Sequence, residues 1–309
     1  MKHNKKITAI ILSMFLLTQF IGLFVVNEYA TQKVVDGEIV NVTGKMLPYG
    51  ASFDETEKEV TPMSMLFSII FSFIIAISVI FLLTKIKAKF FLKTWFLVVT
   101  ILALGISLTA IFPETKYASI VALAFAIPLA IFKIYKRNFL IHNATELLIY
   151  PGIATIFVQI LGLTSIIVLL ILISIYDMWA VWKSKIMQKM AKFQMNELKI
   201  FGGFFVPYLS KTQKEKIEKL KKSKKKLKNL KMKLNVAILG GGDVVFPIIT
   251  SGVVLKTWGF VPAIAVIVGA FVGLLGLLIY SEKKKFYPAM PFISAGIFLA
   301  MILSYFFLI

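Results

Sequence analysis

Apolar runs long enough to cross a bilayer recur nine times along the chain. They lie at about Ile7–Val26, Met63–Leu83, Phe90–Phe112, Tyr117–Ile134, Ala144–Leu163, Thr164–Val181, Leu234–Leu255, Trp258–Tyr280 and Pro288–Ile309. Each approaches the ~20 residues that a helix needs to traverse the hydrocarbon core. Polar residues are confined to the stretches between them. The pattern predicts an all-α polytopic membrane protein with nine transmembrane helices. The fifth and sixth runs are separated only by the turn Leu161-Gly162-Leu163-Thr164. The opening "MKHNKKITAIILSMFLLTQF" resembles a secretory leader. Its apolar core exceeds the usual ~7–15 residues and no A-x-A site follows, so it is predicted to be a retained first span.

Charge orients these spans. Alternate connections are basic: Lys2, Lys5 and Lys6; Lys85, Lys87, Lys89 and Lys93; Lys133, Lys136 and Arg137; a long loop; and Lys283, Lys284 and Lys285. The remaining connections are acidic or nearly uncharged. Cytoplasmic loops carry the lysine and arginine excess, so the N-terminus is predicted inside and the C-terminus outside, in the cell membrane.

The net charge of +20 could suggest nucleic acid, but 17 lysines and three acids lie between Lys183 and Lys233. A basic inner loop beside anionic lipid accounts for them, and no nucleic-acid partner is expected. Three units follow: a six-helix bundle over 1–181, the basic loop over 182–233 and a three-helix unit over 234–309. Within the loop, Ile217, Leu220, Leu227, Leu230 and Leu234 recur at near-heptad spacing. That suits an amphipathic helix on the inner membrane face, or equally a solvated charged loop. The chain has no cysteine, which excludes disulfides, iron–sulfur clusters and thiol catalysis. With its lysine-rich, arginine-poor make-up, that composition suits a prokaryotic, archaeal chain.

Of fifteen Asp and Glu, three fall inside the predicted spans: Glu146, Asp177 and Asp243. An ionisable residue at membrane depth is costly and marks a functional hypothesis. For Glu146 there is a structural alternative. Asn143-Ala144-Thr145-Glu146 reads as a capping box, with Asn143 as N-cap and His142 as a neighbouring partner. Asp177 precedes Lys183 by six residues, and Asp243 follows Lys233 by ten. At 1.5 Å per helical residue these offsets give depths of about 9 and 15 Å below the inner surface. Two carboxylates brought together at low dielectric cannot both ionise. They share a proton, which leaves one acid and one base, and such a pair can activate water against an amide.

Gly240, Gly241 and Gly242 stand immediately before Asp243. Each costs a helix about 1 kcal/mol relative to alanine. Unwound backbone at membrane depth is tolerated where it lines a cavity, and it can pair with an extended substrate strand. A close helix–helix contact through small residues is the other reading.

Three short motifs occur in order along the spans: Tyr176-Asp177 on the sixth, Gly240-Gly241-Gly242-Asp243 on the seventh and Pro288-Ala289-Met290-Pro291 at the start of the ninth. Together they resemble the presenilin and signal peptide peptidase family of intramembrane aspartyl proteases, which carries Tyr-Asp, Gly-x-Gly-Asp and Pro-Ala-Leu at these places. The continuation "DVVFP" is similar to the signal peptide peptidase side of that family. Met290 replaces the family leucine, a mild change in volume. The motifs cover Thr164 to Ile309, and the earlier part rests on the span count. The resemblance implies that Asp177 and Asp243 are the catalytic pair. It further implies that Tyr176, the three glycines and Pro288, Ala289 and Met290 shape the site and hold substrate. Cofactor and metal are expected to be none. The partners are transmembrane peptides and the bilayer, and the chain acts alone or as a homo-oligomer.

Other chemistries fit less well. A zinc protease lacks His-Glu-x-x-His, and the only histidines are His3 and His142. A serine protease would need a base near Ser251-Gly252. A prepilin-peptidase-like protease shares Gly-x-Gly-Asp but not the proline-rich ninth span. A proton- or cation-coupled transporter also uses buried carboxylates and broken helices, but no counterpart of Gly240–Asp243 occurs in the first four spans. An inactive relative that binds membrane segments would keep the same residues.

Overall fold

The computed structural model describes residues 5–35, 38–50, 62–86, 88–136, 138–184, 200, 202–208, 235–281 and 287–307. The amphipathic segment expected around Ile217 to Leu234 lies outside them. Among the described residues the helices are α1 (Lys5–Glu28), α2 (Pro62–Lys85), α3 (Lys89–Ile111), α4 (Ala118–Tyr135), α5 (Phe139–Ile160), α6 (Leu163–Trp179), α7 (Gly241–Trp258), α8 (Phe260–Tyr280) and α9 (Met290–Phe307). Six are long and apolar enough to cross a membrane: α1, α3, α4, α6 with its continuation to Lys183, α8 and α9. The α5–α6 split falls at the glycine turn, where Gly162 caps α6 in an extended conformation.

Packing follows the rule of an apolar solvent, with small residues inward and large ones outward. Ala118, Ala122, Ala126 and Ala130 form the buried edge of α4, while Ile120, Phe125 and Ile131 of the same helix are exposed. Gly152 of α5 lies against the Ala103 carbonyl of α3, and Gly22 of α1 takes the Ile248 side chain of α7. α8 and α9 meet through backbone, Gly269 against Gly296 and Gly273 against Phe292. At the centre α7 is enclosed, with residues 247–255 all buried and α1, α5, α6 and α8 around it.

Two antiparallel ribbons depart from the all-helical expectation. β1 (Gln32–Val35) pairs with β2 (Glu38–Asn41) just after α1. β3 (Gly203–Tyr208) pairs with β4 (Asn235–Gly240), in register from Gly203↔Gly240 to Tyr208↔Asn235. The predicted seventh span, Leu234–Leu255, is therefore corrected: its first turns are strand, and the helix starts at Gly241. β4 reads Asn-Val-Ala-Ile-Leu-Gly, and a short apolar run of this kind has no periodicity that separates strand from helix. A strand also rises about 3.3 Å per residue, so the 1.5 Å helical rise does not measure the depth of Asp243.

Candidate active site

Asp177 sits in the last turns of α6, just before the helix widens into a π turn at Ala180–Ser184. Its side chain is only 7% exposed, and one oxygen is already committed. Oδ2 accepts the Met290 backbone N–H at 3.1 Å, with the Ala289 N–H directed at the same carboxyl. The first N–H groups of a helix have no partner inside it. Asp177 supplies one to α9, and a carboxylate suits the positive end of the helix dipole. One turn from each partner, the Ser174 hydroxyl donates to the Ser294 hydroxyl at 3.0 Å, tying α6 to α9 a second time.

Asp243 is held differently, at the first turn of its own helix. Gly240, the last residue of β4, is the N-cap residue of α7 with extended φ/ψ and no side-chain cap. Its backbone N–H is directed at the Asp243 carboxyl. The three glycines have separate surroundings. A Cβ on Gly240 would stand 3.2 Å from Asp243 Oδ2. One on Gly241 would press into the Tyr150 ring at 2.9 Å. One on Gly242 would meet nothing nearer than a Phe246 ring atom at 3.8 Å, on an exposed face. From the far side, the buried Gln19 of α1 donates through Nε2 to the Val244 carbonyl at 3.0 Å.

α6 and α7 pack side by side, and Asp177 and Asp243 are within electrostatic reach of each other. Met290 and Ala289 reach the pair through Asp177, and Pro288 is buried just before them. Tyr176 points elsewhere: it is 41% exposed, its ring near Trp179. The two carboxylates lie within electrostatic reach, one bound to a helix start and the other bordered by open glycine backbone. Such a site can hold a proton, a water and an extended peptide together.

The capping-box expectation at Asn143 fails. α5 begins a turn earlier, and the Asn138 side chain caps it by accepting the Leu140 N–H at 2.9 Å. Asn143 instead lies inside the helix and acts as an extra strand residue. Its Nδ2 donates to the Phe205 carbonyl at 2.9 Å, and its Oδ1 accepts the Phe205 N–H at 3.2 Å. His142 Nε2 meets the Gly203 carbonyl at 2.9 Å. Beneath them Glu146 is buried in an ion pair with Lys133 of α4, with His142 Nε2 at 3.4 Å. This cluster anchors the β3–β4 ribbon, and through it the start of α7. Sequence reasoning named His142 as the neighbour of Glu146, as the pair at 3.4 Å shows, but missed Lys133 and the ribbon contacts, together with Gln19 and Tyr150. Gln19 carried a signal, being an amide in mid-span, and so did Gly-Phe-Phe-Val-Pro-Tyr, an aromatic and β-branched run beside glycines.

A sequence model of the family described as signal-peptide peptidase, presenilin aspartyl protease matches residues 37–308. Two solved structures, each described as a presenilin family intramembrane aspartate protease, share the fold. In the C222 crystal form the identity is 17%, over 95% of this chain and 94% of that one, with a TM-score of 0.56. In the P2 form it is 17%, over 96% of each chain, with a TM-score of 0.57. No curated protein matches the sequence.

Proposed function

The chain belongs to the signal-peptide peptidase, presenilin aspartyl protease family, and from that premise we propose how it works. Its activity is that of an intramembrane aspartyl protease, an aspartic endopeptidase acting on membrane-embedded segments. Asp177 and Asp243 are its catalytic pair and share one proton. The ionised carboxyl takes a proton from water, and the water oxygen bonds to the scissile carbonyl carbon. The protonated carboxyl gives its proton to the carbonyl oxygen. Collapse of the tetrahedral intermediate delivers a proton to the nitrogen and breaks the C–N bond, leaving a new carboxyl and a new amine. No cofactor or metal enters this scheme.

The observation that carries this reading is the hydrogen bond from Met290 N–H to Asp177 Oδ2, between motifs 113 residues apart. It supports a site in which Pro288, Ala289 and Met290 set the position of one carboxyl. Gly240 sets the other, and the exposed Gly242 leaves room for substrate. The scissile segment, opened from helix, extends along β4 and hydrogen-bonds to its backbone. Tyr176, facing outward, meets the segment as it approaches. The nine helices all cross the cell membrane, with the N-terminus cytoplasmic and the C-terminus outside. Residues 1–181, 182–233 and 234–309 are the first bundle, the basic inner loop and the unit bearing the second aspartate. The protein acts alone or as a homo-oligomer.

The test is purified protein in detergent with a single-span peptide, the products identified by mass spectrometry. Cleavage within the span is expected, and a peptide bearing a hydroxyl in place of the attacked carbonyl should block it, because it mimics the tetrahedral oxygen. Cleavage insensitive to such a mimic would overturn the two-aspartate scheme.

A further inference from the structure

Beneath the glycines lies a side chain that the two-aspartate chemistry does not use. Tyr150, on α5, is 3% exposed, and its ring meets Phe204 of β3 edge-on, with centroids 5.5 Å apart. Its hydroxyl lies 3.0 Å, and its Cε1 2.9 Å, from where a Cβ on Gly241 would stand. The Glu146 carboxylate, one turn earlier on α5, stands as an acceptor for the phenol O–H, and Asp243 acts on the same group electrostatically. The contact with Glu146 is loose, because no described residue meets full hydrogen-bond geometry with the hydroxyl. A buried O–H held this loosely keeps part of its desolvation penalty, which a turn toward a second carboxyl would relieve.

We propose that Tyr150 is a positioning residue for Asp243, its ring setting the height of the Gly241 backbone and its hydroxyl donating a hydrogen bond that steadies the Asp243 carboxyl during the reaction. This rests on the two-aspartate reading. It also divides the glycines by purpose, because Gly241 is then glycine for the sake of Tyr150, while Gly242 serves the substrate.

The test uses the purified full-length protein and a single-span peptide. Tyr150→Phe keeps the ring and removes one oxygen. We expect kcat to fall roughly tenfold or more with KM within about twofold, and a thermal midpoint little changed. An unchanged kcat would reduce the hydroxyl to packing and overturn its part in the proposal. Gly241→Ala should cost activity. In a Tyr150→Leu background, which clears the ring from the new methyl, the same Gly241→Ala change should cost about tenfold less than it does beside Tyr150, a coupling expected of residues in contact. An equal cost in the two backgrounds would overturn the ring's part. Asp243→Asn serves as the parallel control. Cleavage by that variant would refute the aspartate pair itself, whereas its inactivity beside a fully active Tyr150→Phe would refute only Tyr150.

Discussion

The two carboxyls of the site are held by opposite means. Asp177 rides near the end of a continuous helix and is fixed from outside, by the first N–H groups of α9. Asp243 opens its own helix and is fixed from behind, by the strand that leads into it and by Gly240. The first arrangement depends on two helices docking in register. The second depends on a ribbon that is itself pinned by Asn143 and His142. The proposed two-aspartate reaction thus draws on two separate parts of the fold, and damage to either part should leave the other carboxyl in place.

The strongest way to break this comparison is to remove one carboxyl at a time. Asp177→Asn and Asp243→Asn should each lower kcat by at least about 10³-fold, and the double variant should be no worse, because residues that act as a unit are not additive. Near wild-type cleavage by either single variant would end the assignment. Gly242→Leu touches only the Asp243 arm. It should lower cleavage by about a hundredfold or more with the thermal midpoint preserved, since that face is open. Unchanged turnover would return Gly242 to helix packing. Lys133→Met works on stability. It leaves Glu146 buried without its cation, and breaking a buried pair in this way costs about 3–5 kcal/mol, read as a fall in the detergent melting midpoint. Asn143→Ala removes both bonds to Phe205 and should cost about 1–3 kcal/mol. Its activity loss should be larger than that of Ser174→Ala, which loosens the Asp177 arm by about 0.5–1.5 kcal/mol. Equal losses in a side-by-side kinetic assay would argue that the two arms are not separate.

The helices were legible because membrane spans announce themselves by length and apolar content, and the α5–α6 split was visible in Gly162. Asp177 and Asp243 stood out as candidates because carboxylates are expensive at depth. The ribbon was not. β4 is an apolar hexapeptide continuous with a helical span, and only tertiary pairing with β3 decides its conformation. Glu146 was misread for a related reason. Asn138 and Asn143 both satisfy the local capping rule. What settles the choice is a cation on another helix, Lys133, which takes the carboxylate into an ion pair. Met290 illustrates the remaining gap: the motif could be seen, but not that its backbone, rather than its side chain, reaches Asp177.

The glycine contact between α8 and α9 gives the Asp177 arm a mechanical property. Where Gly269 and Gly296 touch through their main chains, no side chain stands between the two helices to change rotamer, and the pair is splinted at that point. The N–H groups that receive Asp177 are tied through this contact to α8, so a swing of α8 carries them with it. The placement of one Asp177 oxygen is therefore set by the stiffness of a two-helix plank, and loosening that plank at Gly269 or Gly296 would shift Asp177 without altering any residue that touches it.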